Sequence, residues 1–153
     1  MIDQFHTFDR TVGYPTVLTG RKIVRLLFLN LRMYDITPEQ WTVLRFLGEH
    51  DGITQKELSD ITGKDQPTLT RILTIMDRKG WIDRRANRED RRSFLVWLAG
   101  EGQELLDQLR PVVEASFERM LDGISEEQLQ ILRQVLQEMD QNIENEYERL
   151  KVK

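Results

Sequence analysis

The stretch from Thr54 to Gly80, TQKELSDITGKDQPTLTRILTIMDRKG, constrains the fold more than any other part of the chain. Thr54 and Glu57 form a capping box that opens a short helical pattern, and Gly63 can take the left-handed conformation that ends it. A second pattern starts at once with Asp65 as its cap. Its apolar residues follow the i, i+3, i+4, i+7 spacing of a helix: Leu69, Ile72, Leu73 and Met76. Two helices joined by so short a turn predict a helix-turn-helix.

The second of these helices is predicted to carry an unusual polar face. On a helical projection, threonines and arginines lie opposite the apolar stripe or on its flanks. Threonine offers a hydroxyl and a methyl to a base edge, glutamine can reach an adenine, and arginine can reach a guanine or a phosphate. The candidate DNA-contacting residues of this helix are Gln66, Pro67, Thr68, Thr70, Arg71, Thr74 and Arg78. For this helix taken alone, a merely solvated face is the alternative.

After Gly80 the periodicity changes from that of a helix to that of a strand. The segments WIDRR and RSFLVWL flank a polar run, which predicts a two-stranded β-hairpin with a charged tip. Such a ribbon can straddle a DNA backbone and place one arginine in the minor groove. Asp90 and Arg92 share a face and could brace each other, which leaves Arg88 as the groove residue. The candidate wing residues are Arg84, Arg85, Arg88, Asp90, Arg91 and Arg92. A solvated, arginine-rich loop is the alternative.

Helical patterns also precede and follow this region. One runs from about Tyr14 to Met33, and a TPEQ capping box then opens a central apolar helix. Another runs from Gly102 to about Leu121, where Pro111 should bend the helix or mark a boundary. Ser125 and Gln128 then form a further capping box. The apolar stripe that follows is Leu129, Leu132, Leu136, Met139, Ile143 and Leu150. We predict that this stripe forms a dimer interface, with packing inside the chain's own core as the alternative.

Charge and composition narrow the function. The chain has 153 residues, which fits one domain, or one domain with an extension, and it has a formal net charge of −4. It contains no cysteine, which fits a reducing cytoplasm. Residues 64 to 92 carry a net charge of +4, whereas residues 101 to 150 carry −9. This asymmetry in charge favours a protein that binds a polyanion through one basic face. We expect a cytoplasmic protein with no membrane span, no metal and no cofactor.

The segment from Ile36 to Leu98 resembles the DNA-binding region of the MarR family of bacterial transcriptional regulators. Its most specific parts are TRIL…MDRKGWIDRR and the NREDRR wing, where Asp90 and Arg92 match the family's Asp-x-Arg element. One departure is LAGEG at 98–102, because Ala99 stands where the family usually has a capping threonine. The resemblance implies a homodimer on a roughly palindromic operator, often controlled by a small aromatic or phenolic ligand. That ligand would bind between the dimerisation and DNA-binding parts.

The predicted fold is therefore mainly α-helical. A winged helix-turn-helix DNA-binding domain spans residues 35–98, and a helical dimerisation region is divided between residues 1–34 and 99–153. The candidate ligand-pocket residues are Tyr34, Trp41, Arg45 and Phe46, with Arg45 or His6 available for an anionic group. The alternative is that these aromatic residues belong to the protein core, where aromatic residues of a central helix lie more often than in a ligand pocket.

The favoured function is a sequence-specific, double-stranded-DNA-binding regulator, expected to be a repressor that acts as a homodimer and is released by a ligand. A winged-helix module that binds an acidic protein partner is the alternative. Sharply salt-dependent binding to one short palindrome would exclude that alternative. The sequence contains no recognisable catalytic set, so we predict that the protein is not an enzyme.

Overall fold

The computed structural model describes residues 9–50, 52–88, 90 and 93–151. Within these residues the chain is mainly helical, with one small sheet. The helices are α1 (Tyr14–Leu31), α2 (Pro38–Glu49), α3 (Gln55–Thr62), α4 (Gln66–Arg78), α5 (Gly100–Met120) and α6 (Glu126–Lys151). The strands are β1 (Ile53–Thr54), β2 (Ile82–Ala86) and β3 (Phe94–Leu98). A π-helical turn, Asp9–Gly13, precedes α1, and a 3-10 turn, Arg32–Tyr34, follows it.

The three predicted capping boxes are confirmed. In α2 the Gln40 N–H donates to Thr37 Oγ1 at 3.2 Å, while the Thr37 N–H donates to Gln40 Oε1 at 3.0 Å. Thr54 and Glu57 form the same reciprocal pair at the start of α3. Ser125 and Gln128 repeat it before α6. Each pair satisfies two backbone donors that a helix end otherwise leaves without partners, which is why these boundaries follow from local sequence.

The helix-turn-helix is confirmed, and its turn is closed by backbone geometry. Gly63 takes the left-handed conformation (φ 62°) directly after α3. The Ser59 hydroxyl donates to the Lys64 carbonyl at 2.5 Å, and the Lys64 N–H donates to the Ser59 carbonyl at 3.2 Å. These bonds fix the angle at which α4 leaves α3. The predicted apolar stripe of α4 is buried: Leu69, Ile72, Leu73 and Met76.

The sheet contains the predicted hairpin and one strand that the sequence did not indicate. Strand β3 lies in the middle, antiparallel to both β2 and the two-residue β1. Ile53, Val96 and Arg84 lie opposite one another in one row. Ile53 and Val96 are buried, so this face of the sheet contributes to the core beneath the helices. The core residues supplied by α2 are Trp41, Val43, Leu44 and Leu47.

Helix α5 begins at Gly100, although Ala99 has no side-chain acceptor for a cap. The Ala99 N–H donates to the Trp81 carbonyl at 3.0 Å, and the Gln103 N–H donates to the Ala99 carbonyl at 2.9 Å. A backbone contact to the start of the hairpin therefore fixes this helix end. The helix continues through Pro111 to Met120, so Pro111 does not mark a boundary.

By its internal contacts the chain forms two compact units, Met1–Ser116 and Phe117–Lys153. The first unit holds the helix-turn-helix, the sheet, α1 and most of α5. Within it, α1 and α5 are joined by a hydrogen bond of 2.7 Å from the Asn30 amide to the Ser116 hydroxyl. The second holds α6, in which no described side chain is buried. The predicted boundaries after residues 34 and 98 divide the chain by function, and they stay predictions. Among the described helices, none is long and apolar enough to cross a membrane.

Candidate nucleic-acid interface

The recognition helix, α4, is held at its start by Asp65. One carboxylate oxygen accepts from the Thr68 N–H at 2.8 Å, and the other accepts from the Thr68 hydroxyl at 2.9 Å. The backbone bond first, and the hydroxyl bond second, lower the pKa of Asp65 below its ordinary value. Because Asp65 stays ionised, it places a negative charge at the positive end of the helix dipole. Thr68 is half-buried and already occupied by this cap, so it is less free for DNA than the sequence suggested.

The other predicted residues of α4 do form an outward face. Gln66, Pro67, Thr70, Arg71 and Arg78 are exposed, and Thr74 is half-buried. The hydroxyls of Thr70 and Thr74 each donate to the carbonyl four residues earlier, at 2.8 Å. Their protons are therefore committed, and they offer methyl groups and acceptor lone pairs to a partner. Arg71 and Arg78 make no hydrogen bond or ion pair with any residue in the described part of the chain.

Gln55 belongs to this face, and the sequence did not indicate it. Its side-chain amide donates to Gln66 Oε1 at 3.0 Å and to Thr70 Oγ1 at 2.7 Å. Gln55 is the first residue of α3, so it links the start of one helix to the polar face of the next. The Gln55 amide thus orients Gln66 and Thr70, two of the candidate DNA-contacting side chains, in the protein without DNA. A contact across eleven and fifteen residues has no local sequence pattern, which is why it was missed.

Arg84 braces the wing against the recognition helix. Its Nε lies 3.3 Å from Asp77 Oδ2, near the end of α4, and its guanidinium carbon lies 5.1 Å from the centroid of the Phe94 ring. The contact to Asp77 has the distance of an ion pair without hydrogen-bond geometry. Only 26% of the Arg84 side chain is exposed. Arg84 was predicted to contact DNA, and its position favours a role that holds the hairpin in place.

Replacing Arg84 by Gln separates these two roles. We expect Arg84→Gln to lower the free energy of unfolding by about 1 kcal/mol, because it removes a partly buried ion pair and a cation–π contact. Urea denaturation measures this loss. Arg78→Gln is the matched control, since it removes an exposed, unpaired arginine one residue from Asp77, and it should leave stability unchanged. Parental stability of Arg84→Gln, together with weaker DNA binding than the parent protein shows, would mean that Arg84 contacts DNA directly.

The rest of the wing is more exposed. The guanidinium of Arg85 lies 4.7 Å above the Trp97 ring, and Arg88 is exposed at the tip. Asp90 is also exposed, and its carbonyl accepts from the Ser93 N–H at 3.0 Å, which closes the loop. Arg91 and Arg92, and with them the predicted Asp90–Arg92 brace, lie outside the described residues.

Ile75 lies at the edge of an open crevice. It is 43% exposed and lines a cavity of about 410 Å³ together with Phe28, Ile36 and Lys79. Across this crevice, Lys79 Nζ donates to the Asp35 carbonyl at 2.5 Å and to Asp35 Oδ2 at 2.7 Å. Asp35 has a positive φ of 52°. The last turn of the recognition helix is therefore tied to the link between α1 and α2.

The residues predicted to line a ligand pocket are absent from the lining of three cavities in the described part of the chain, of which one lies beside the wing, one beside Ile75 and one beside Phe94. Trp41 is 5% exposed and belongs to the core. Arg45 pairs with Glu49 at 3.0 Å and stacks on Phe46, with its guanidinium carbon 4.4 Å from the ring centroid. Tyr34 is half-buried in the 3-10 turn. His6 lies outside the described residues. A ligand site at these positions stays a prediction.

Comparison with known proteins places this geometry in a family. The sequence profile of the MarR family matches residues 34–93. The uncharacterised HTH-type transcriptional regulator YdgJ of Bacillus subtilis is 32% identical over 110 residues, which are 72% of this chain and 67% of YdgJ. The transcriptional regulator HosA of Escherichia coli is 29% identical over 105 residues, which are 69% of this chain and 78% of HosA.

A solved structure extends the likeness to three dimensions. A mutant of MarR from E. coli, crystallised in complex with operator DNA, superimposes with a TM-score of 0.79 at 27% identity. The match covers 86% of this chain and 96% of the other. The chain belongs to the MarR family. As a MarR-family protein it is a transcriptional regulator with a DNA-binding winged-helix fold and not an enzyme. The fold and family expected from the sequence are confirmed.

Proposed function

We propose that this MarR-family regulator binds a pseudo-palindromic operator as a homodimer, represses transcription there, and is released by a small aromatic or phenolic ligand. The observation that carries the proposal is the exposed face of α4, where Arg71 and Arg78 stand without protein partners beside two threonines and a glutamine. An unpaired arginine on a rigid helix can present its planar fork to a guanine edge or a phosphate. The E. coli MarR mutant crystallised with operator DNA supports the same use of the fold.

Unburied apolar side chains support the homodimer. In α6 the exposed fractions are 51% for Leu132, 46% for Leu136, 45% for Ile143 and 56% for Leu150, whereas Leu129 and Met139 are half-buried. Tyr147, 53% exposed, falls on the same stripe and completes its spacing. Helix α1 also exposes a stripe: Tyr14, Val17, Leu18, Val24 and Phe28. Monomeric soluble proteins rarely leave such contiguous apolar surface in water, and a second copy of the chain would cover it.

Two copies also suit the DNA. One helix-turn-helix reaches a single half-site, whereas two related by a twofold axis reach half-sites about 34 Å apart and sum their contacts. The charge distribution agrees with this arrangement, because the acidic residues concentrate in the region from 101 to 150, away in sequence from the basic helix and wing. A dimer bound across a promoter excludes other proteins from that DNA, which is the simplest route to repression.

The operator can be found by selecting bound sequences from random duplex DNA with the purified protein. We expect one palindromic site, bound with a steep dependence on salt. A protein that instead binds an acidic protein partner would enrich no DNA sequence, and that outcome would favour the alternative function.

On the selected site, Arg71→Ala should weaken binding by roughly 1–3 kcal/mol, because a bidentate contact to a base is lost. Fluorescence anisotropy titration measures the change. Arg71→Lys is the matched control, since it keeps the charge and removes the planar fork. If Arg71 reads a base, Arg71→Lys should also lose preference at one position of the site. If the lysine variant binds as the parent does, Arg71 contacts a phosphate, and if the alanine variant does so too, α4 does not read DNA through Arg71.

A further inference from the structure

Three polar side chains, Gln55, Gln66 and Thr70, form a hydrogen-bond network between the two helices of the helix-turn-helix. Gln55 is the first residue of α3, and Gln66 is the first residue of α4. Gln55 Nε2 lies 3.0 Å from Gln66 Oε1 and 2.7 Å from Thr70 Oγ1. Gln55 is half-buried, whereas Gln66 and Thr70 are exposed. The network therefore lies at the N-terminal end of α4, where a recognition helix contacts base edges.

The direction of the bond between Gln55 and Thr70 follows from the backbone of α4. Thr70 Oγ1 lies 2.8 Å from the Gln66 main-chain carbonyl oxygen. A carbonyl cannot donate, so the hydroxyl proton must lie between these two oxygens, which would otherwise repel each other at that distance. The Thr70 oxygen can then only accept from Gln55. The atom of Gln55 that faces Thr70 must therefore be the amide nitrogen, which fixes the orientation of the Gln55 side chain.

The same constraint passes from Gln55 to Gln66. The Gln55 nitrogen has two protons, and one of them points to the Gln66 side chain across 3.0 Å. The atom of Gln66 that receives this proton must be the carbonyl oxygen Oε1. Gln66 Nε2 makes no hydrogen bond with any residue in the described part of the chain, so both of its protons remain available to a partner. A glutamine amide without neighbours can turn over, whereas the amide of Gln66 is held in one orientation.

This orientation decides which bases Gln66 can accept. In the major groove adenine, guanine and thymine each present at least one acceptor, whereas cytosine presents only the N4–H₂ donor. An outward NH₂ group can donate to any of the first three bases, and the second lone pair of Oε1 can also accept from adenine. Against cytosine, a donor would face a donor, and both groups would lose water without gaining a partner.

We propose that Gln55 is a positioning residue for base recognition: it holds the Gln66 amide with its nitrogen outward, so that Gln66 rejects cytosine at one position of each half-site. The inference rests on the proposed function, because it requires α4 to enter the major groove of an operator. Gln55 acts through Gln66 and does not itself have to touch DNA. A side chain that the sequence did not indicate would thus determine part of the sequence specificity.

Reversing the polarity of residue 55 tests the proposal. A carboxylate only accepts, so in Gln55→Glu the Gln66 amide should turn its nitrogen toward residue 55 and its oxygen toward the DNA. The base that Gln66 contacts is the operator position at which Gln66→Ala removes the preference. There the parent protein should bind the cytosine duplex at least about fivefold more weakly than the best duplex. Gln55→Glu should make cytosine the preferred base, and Gln55→Leu should reduce the penalty against cytosine.

The ratio of affinities among the four duplexes is the readout, because the added charge of Gln55→Glu weakens binding to all of them alike. The control is Gln55→Glu combined with Gln66→Ala, which should show no preference at that position. An unchanged cytosine penalty in Gln55→Glu would overturn the proposal. It would also be overturned if Gln66→Ala changed the preference at no position of the operator.

Side-chain amide NMR tests the network without DNA. In the parent protein the Gln66 NH₂ group, assigned by its loss in Gln66→Ala, should show a heteronuclear NOE close to that of the backbone. Gln55→Leu should lower this NOE, because the amide is then free to rotate. Equal values in the two proteins would mean that Gln55 does not hold Gln66 in solution. If the protein selects no operator, the proposed function fails and the base preference with it, while the NOE still decides whether Gln55 holds Gln66.

Discussion

A protein carrying Leu136→Glu and Ile143→Glu should be monomeric and should lose operator binding. Both side chains are nearly half exposed on α6, at 46% and 45%, so the substitutions put two carboxylates into the stripe that a partner copy is proposed to cover. Bringing two such stripes together would bury four unpaired charges, which is prohibitive. A monomer reaches one half-site only. We expect a loss of roughly 2–5 kcal/mol, half of the 4–10 kcal/mol that separates specific from non-specific DNA binding.

Light scattering gives the oligomeric state, and anisotropy titration on the selected operator gives the affinity. Gln130→Glu with Gln137→Glu is the matched control, because it adds the same charge to the same helix at exposed positions off the stripe. The control should remain dimeric and bind DNA. Circular dichroism should show both variants folded, since none of the four residues is buried. A dimeric Leu136→Glu, Ile143→Glu protein with parental affinity would mean that the stripe of α6 is not the interface.

Gly102→Ala should destabilise the fold through a clash with the backbone of the hairpin. Gly102 lies in the first turn of α5, where an added Cβ would fall 2.1 Å from the Trp81 carbonyl oxygen and 2.8 Å from Leu98 Cδ1. The nearest atom belongs to the backbone, and the same carbonyl accepts the Ala99 N–H bond that fixes the start of the helix. The clash can be relieved only by moving α5 away from the hairpin. We expect a loss of about 1–3 kcal/mol in the free energy of unfolding.

Gly100→Ala is the control for this substitution. Gly100 is the first residue of the same helix, and an added Cβ there would meet no atom within 4 Å. Since alanine favours a helix over glycine by up to about 1 kcal/mol, Gly100→Ala should be neutral or slightly stabilising. Urea denaturation of both variants measures the difference. Equal midpoints for the two would show that α5 is not held against the Trp81 carbonyl in solution.

Features decided by a few neighbouring residues were predictable from the sequence. The three capping boxes, the left-handed glycine at 63 and the buried stripe of α4 all depend on groups within about one or two helical turns of each other. A helix end leaves backbone donors and acceptors without hydrogen-bond partners inside the helix, and only a few residue types have side chains that can bond to them. The family resemblance then joined these elements into a fold that the structure confirms.

Features decided by distant residues were not predictable in this way. Strand β1 is only two residues long, and it forms because its backbone pairs with the edge of β3. Two residues are too few to show the alternation of apolar and polar residues by which a strand is recognised in a sequence. In the sequence, Arg84 cannot be distinguished from the other arginines of the wing. Its contacts with Asp77 and Phe94 are formed only in the folded chain. Trp97 was expected simply as a strand residue, yet its packing on Gly52 leaves a buried N–H without a partner. Each case depends on contacts that the linear order of residues does not contain.

The Lys79–Asp35 contact has a mechanical consequence. The ammonium group of Lys79, the residue directly after α4, contacts both the carbonyl oxygen and a carboxylate oxygen of Asp35, the residue directly after the 3-10 turn that follows α1. The contact therefore links the C-terminal end of α4 to the segment between α1 and α2. In a dimer that assembles through α1, the angle between the two copies would set the distance between their α4 helices. That distance would determine the length of DNA that both α4 helices can contact at once.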